Sequence, residues 1–205
     1  MWLWLEMSLL FILSPLLIVL PIPTAVKITA ILLALTYSCM VSKKIGLFTR
    51  QKLIGDGWYI LPSSMVLRFS LFVVLSFLFV WLYLPDSLFS VILGNPWLWL
   101  AICFFYAIFS VYPQEFLYRL FFFQRYQILF SNPYVFLFVN GCVFSFAHLF
   151  LNNALVFTLT FVGSLLFALT FKKSQSLMLV SIEHSVYGAW LFTLGLGEML
   201  AFPSV

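Results

Sequence analysis

The sequence predicts an all-α, polytopic transmembrane helical bundle of about seven spans. Three observations carry this. The 205 residues are 64% hydrophobic and only 8% charged, whereas soluble domains average about 25% charged residues. The mean hydropathy is +1.15, and the apolar residues fall in continuous runs of about 17–22, the helix length that a bilayer requires. The period-two alternation of a membrane β-barrel is absent from these runs. The formal net charge of +4 matters less than the position of the basic residues, which sit at the ends of the apolar runs.

The first run, Met1 to about Leu20, lacks the basic leader of a signal peptide. Pro21-Ile22-Pro23-Thr24-Ala25 leads straight into another apolar run, so the first is read as a span. Glu6 is assigned to the interface and Pro15 to a kink. The second span runs from about Thr24 to Val41. Lys43, Lys44, Arg50 and Lys52 follow, in a polar interval that ends near Arg68. Within it, Gly55-Asp56-Gly57-Trp58 and Pro62-Ser63-Ser64 predict turns and interfacial contacts. Loops rich in Lys and Arg stay in the cytoplasm, so this one sets the topology.

The third span covers about Phe69 to Leu84, and the interval Pro85 to Pro96 carries no Lys or Arg. The fourth run, from Trp97 to Tyr126, is longer than one crossing needs. It reads either as one tilted helix kinked at Pro113, or as a span followed by a partly interfacial helix carrying Arg125. Asn132-Pro133 breaks the chain. The fifth span is about Tyr134 to Phe150, closed by Asn152-Asn153. The sixth is about Ala154 to Phe171, with Gly163-Ser164 as a close helix contact and Lys172-Lys173 after it. The seventh is about Leu177 to Leu194. This count places the N-terminus in the cytoplasm, and the protein is read as a multi-pass cell-membrane protein, with the bacterial inner membrane as its expected location. Cys39, Cys103 and Cys142 read as small buried apolar residues, without disulfide or metal spacing. No nucleic-acid motif is present. The chain divides into N-terminal helices with the basic loop, 1–96, and a helical core, 97–205.

Ionisable groups deep in a membrane are costly, face a cavity or a partner, and mark function. Three such points stand out: Gln114, Glu115 and Arg119 on the fourth run, His148 on the fifth, and Glu183-His184 on the seventh. Glu115 and Arg119, four apart, share a helix face and can pair. Gln114 lies about 100° around from Glu115. At about 1.5 Å per residue, His184 is roughly 10 Å from Leu177, Glu115 roughly 15 Å from Tyr126 and His148 roughly 20 Å from Tyr134. Convergence therefore requires tilt. Glu183 is assigned to a different face, towards Lys172 or Lys173. A carboxylate and two imidazoles around a wet cavity form a hydrolytic set: a general base for water and a donor for the developing oxyanion. The plainer reading is an intrahelical ion pair and two histidines bonded to neighbouring helices.

Gln114-Glu115-xxx-Arg119, Phe144-xxx-His148 and His184-xxx-Gly188 occur in the order of a known pattern. The region from about Trp97 to Gly195 resembles the membrane-embedded CPBP family, which includes type II CAAX prenyl endopeptidases and bacterial proteins of bacteriocin processing or immunity. The family pattern is EExxxR, FxxxH and HxxxN or HxxxB. The resemblance implies an intramembrane endopeptidase acting on a membrane-associated peptide or protein. It implies a catalytic set of Glu115, His148, His184, Gln114 and Arg119, with Phe144 and Gly188 at the substrate. It also implies a glutamate-type mechanism without a cofactor; zinc held by two His and one Glu ranks second. The sequence departs at two positions. The water-activating Glu falls on Gln114, whose amide is no base, so the role passes to Glu115 or hydrolysis is impaired. The Asn of the oxyanion hole falls on Gly188, leaving a backbone group or Ser185. These departures motivate the alternative of a catalytically silent partner-binding or immunity protein.

Overall fold

The computed structural model describes residues 1–55 and 63–203. They form helices joined by short turns, with no strand among the described residues. Six helices are long and apolar enough to cross a membrane: α1 (Trp2–Val19), α2 (Thr24–Lys44), α3 (Ser63–Tyr83), α4 (Pro96–Leu129), α5 (Pro133–Leu151, its regular part ending at Phe146) and α6 (Ala154–Ser174). A seventh, α7 (Leu177–Thr193), is shorter and packs at the centre of the bundle. The turns expected at Asp56-Gly57-Trp58 and Pro62 lie outside the described residues. Arg68, placed in a loop by its charge, instead sits one turn inside α3.

The polar breaks between runs act as helix caps. Asn95, Asn132 and Asn153 accept backbone N–H groups at the starts of α4, α5 and α6, and Ser176 does so for α7. Each side-chain oxygen satisfies N–H groups that have no intrahelical partner. Pro96 and Pro133 follow their Asn caps at the first helical position, where a missing N–H costs nothing.

The long fourth run is one helix. At about 1.5 Å per residue it is roughly 50 Å long, more than the hydrocarbon thickness, so it must tilt. Proline does not break it. A wide π-helical turn, Tyr106–Val111, precedes Pro113 and a second, Phe116–Phe121, follows. The first span behaves alike, with a wide turn at Leu9–Leu13 before Pro15. A proline cannot donate to the preceding turn, and widening that turn accommodates the lost bond.

Helix α7 is clasped on several sides. Trp190 Nε1 donates to Ser76 Oγ of α3 at 2.9 Å, and Trp99 Nε1 of α4 donates to Thr193 Oγ1 at 3.1 Å. At Gly141 of α5 an added Cβ would lie 3.1 Å from Leu165 and Phe161 of α6. Of the expected contact at Gly163-Ser164, a Cβ on Gly163 would meet only Phe167 of its own helix, while Ser164 is buried and receives Arg119 of α4. Phe11, Phe121, Phe122, Phe136, Tyr118 and Tyr126 pack together in the core, mostly edge to face. The three cysteines are free, and none is buried: Cys39 is exposed and the other two are half-buried.

Glu6 is buried, and both its oxygens receive Arg125 from the far end of α4, Nε to Oε1 at 2.9 Å and Nη2 to Oε2 at 2.8 Å. Tyr126 adds a hydroxyl donor at 2.9 Å. This fork clamps α1 to α4. The loop after α2 closes on the same end, where the Ser176 hydroxyl donates to the Ile54 carbonyl. Removing one partner of a largely buried, forked pair leaves the other uncompensated. Glu6→Ala is therefore expected to cost about 2–4 kcal/mol, read as a lower melting temperature in detergent. The double variant Glu6→Ala/Arg125→Leu should recover part of that loss, and equal melting of wild type and Glu6→Ala would contradict the clamp.

Candidate active site

Arg119 fixes the arrangement. Its side chain has no exposed surface. Nη1 donates to Asn140 Oδ1 of α5 at 2.7 Å, and Nη2 to Ser164 Oγ of α6 at 3.0 Å. The carbonyls of Ser164 and Tyr118 lie at 3.3 and 3.4 Å. Nε faces Glu115 Oε2, one helical turn back, at 3.2 Å. Asn140 closes the group by donating to the Tyr118 carbonyl at 2.8 Å. Neither Asn140 nor Ser164 was singled out by sequence as a partner of Arg119. An Asn in the middle of an apolar run was the available signal.

Glu115 uses its other oxygen on α7, where His184 Nδ1–H donates to Oε1 at 2.8 Å. An Arg–Glu–His relay thus runs from α4 to α7, with its acid fully buried. This geometry fixes the His184 ring and leaves Nε2 directed away from Glu115. Phe167 stacks on the ring, with centroids 4.5 Å apart.

The adjacent Gln114 faces elsewhere. It lines a cavity of about 400 Å³ together with His148, His184, Phe144, Gly188, Tyr106 and Ser110. Glu115 and Arg119 do not line it. One residue of helical rotation separates the two side chains onto different faces. The Gln114 amide nitrogen donates to Ser110 Oγ at 2.9 Å, one turn back, while its oxygen is buried without a partner among the described residues.

His148 reaches the same cavity because α5 stops short. The regular helix ends at Phe146, and His148 begins a 3-10 turn, not a helical turn of the span. Its Nδ1–H donates to the Phe144 carbonyl at 2.8 Å, which leaves Nε2 as the acceptor. Phe144, almost fully buried, touches His148, His184 and Tyr118 with its ring and carries the Arg119 cation 5.0 Å from its centroid. The Phe of the FxxxH spacing therefore stands between the Arg119 cation and the two imidazoles of the cavity.

Glu183 does not turn to Lys172 or Lys173. It is buried, and Oε1 lies 3.4 Å from Arg68 Nη2 of α3. Arg68 also donates to Thr170 Oγ1 at 3.0 Å and the Leu166 carbonyl at 3.3 Å. This is a second buried pair, joining α3, α6 and α7 beside the first. Ser185 is not among the cavity-lining residues. No group of three His, Cys, Asp or Glu among the described residues is arranged to hold a metal ion.

A family model described as Type II CAAX prenyl endopeptidase Rce1-like matches residues 95–190. That stretch runs from the cap of α4 through most of α7 and contains every residue of the cavity-facing set and of the relay. No curated protein and no solved structure is significantly similar to the chain. Over residues 95–190, the chain is thus similar to the type II CAAX prenyl endopeptidase Rce1-like family.

Proposed function

We propose that this protein is an intramembrane endopeptidase that hydrolyses a peptide bond of a membrane-associated peptide or protein. The observation that carries the reading is that Gln114, His148 and His184, from three helices, line one cavity while a buried Arg–Glu pair holds one of the imidazoles from behind. In this reading the base is His148. Its Nε2 takes a proton from water, and Gln114 Oε1 accepts the water's other hydrogen. The water oxygen adds to the scissile carbonyl carbon. His184 donates from Nε2 to the carbonyl oxygen as charge develops, and the Glu115 carboxylate stabilises the imidazolium, as a buried acid does behind a catalytic histidine. The proton on His148 then passes to the leaving amine as the C–N bond breaks. Glu115 and Arg119 act through His184, as positioning residues. The apolar remainder of the cavity wall, drawn from α1, α2 and α6, suits the juxtamembrane part of a substrate.

The protein resides in the cell membrane with its N-terminus in the cytoplasm. Support comes from Lys43, Lys44, Arg50, Lys52, Arg125, Lys172 and Lys173, which all fall at one end of the antiparallel bundle. A second reading, a catalytically silent partner-binding protein, rests on the amide at Gln114.

The test is cleavage of a quenched fluorescent membrane-anchored peptide by protein in lipid nanodiscs. His148→Ala is expected to reduce kcat by about 10²–10⁴, the usual contribution of a general base. His184→Ala and Glu115→Gln should also lose activity. Equal cleavage by all of these and the wild type would remove the enzyme reading. Gln114→Glu introduces a second candidate base at the cavity wall and should raise the rate. No hydrolysis in wild type or Gln114→Glu, with partner binding that survives Ala at both histidines, would establish the silent alternative.

A further inference from the structure

Gly188 sits one helical turn beyond His184, on the same side of α7. A Cβ at that position would fall on the Tyr106 ring, against Cε1, Cζ and Oη. The glycine is therefore the space into which the hydroxyl end of Tyr106 inserts. Tyr106 comes from the first wide turn of α4 and stands edge-on to the His184 ring, with centroids 5.9 Å apart and planes at 84°. Both rings line the cavity that His148 and Gln114 also line. Phe192 and Phe202 pack on the other sides of Tyr106 and hold it there.

The donors around this cavity are mostly committed. Gln114 Nε2 is spent on Ser110, His148 Nδ1 on Phe144 and His184 Nδ1 on Glu115. Tyr187, the neighbour of Gly188, also lines the cavity, but its ring packs among Phe69, Phe72 and Phe167 and its hydroxyl is buried there without a partner among the described residues. The Tyr106 hydroxyl donates to no group among the described residues. A phenolic O–H held rigidly in a dry wall is a strong donor for an oxygen that gains negative charge in the transition state.

We propose that Tyr106 is a catalytic residue: its hydroxyl is the second donor to the scissile carbonyl oxygen, beside His184 Nε2, and Gly188 exists to admit it. The proposal rests on the endopeptidase reading above. Tyr106→Phe keeps the ring and its packing and deletes only the donor. It is expected to lower kcat by about 10²–10³, the effect of losing one oxyanion donor, with KM changed less than about threefold, since the ground-state carbonyl gains little from the bond. Tyr106→Ala vacates the space over Gly188, and Tyr106→Ala/Gly188→Asn places an amide donor in it. The double variant should cleave at least about tenfold faster than Tyr106→Ala, a rescue that a packing role would not produce. Wild-type kcat in Tyr106→Phe, while His148→Ala is inactive, would overturn this proposal and leave the endopeptidase reading standing. Absence of cleavage by the wild type would overturn both.

Discussion

A guanidinium with no exposed surface, in the middle of a membrane bundle, is the constraint on which the rest depends. Arg119 cannot shed its charge and has no lipid partner, so its donors must be met by protein. They are met by three helices: Glu115 from its own, Asn140 from α5 and Ser164 from α6. Association of helices in lipid gains little from apolar burial, because tails are as apolar as side chains; packing and polar contacts set which helices meet and how. The cation therefore fixes the angles of α4, α5 and α6, and through Glu115 it fixes an imidazole on α7.

The same logic recurs twice more. Glu6 takes Arg125 across α1 and α4, and Glu183 takes Arg68 across α3 and α7. Each buried carboxylate faces an arginine, so the bundle encloses acids without enclosing net charge in hydrocarbon. These pairs tie α1 to α4 and α3 to α7.

This arrangement separates structural acid from reactive surface. Gln114 and Glu115 are neighbours in sequence, yet the helix turns them to opposite duties. The acid is consumed by the relay, and the amide meets the cavity. Functional groups reach the cavity where regular helix fails: Tyr106 from a wide turn before a proline, and His148 from the 3-10 turn that ends α5 early. Departures from ideal geometry direct these side chains inward.

The sequence by itself determined the helical membrane fold, the approximate bounds of its spans and the three polar points. A charge in a long apolar run is legible without coordinates, because its cost in hydrocarbon is independent of the partner. It did not determine those partners. Glu6 was legible as an acid near a helix end, but its arginine lies 119 residues away. Glu183 read as facing nearby lysines, but its arginine stands on α3. Gly163-Ser164 read as a helix contact, which Ser164 makes by receiving the Arg119 cation, a partner that spacing does not name. Gly188 read as a missing donor, when it is the space another ring fills. Tertiary structure alone decided these matters, since pairing and close packing depend on which helix faces meet in space, and helical periodicity leaves that choice open.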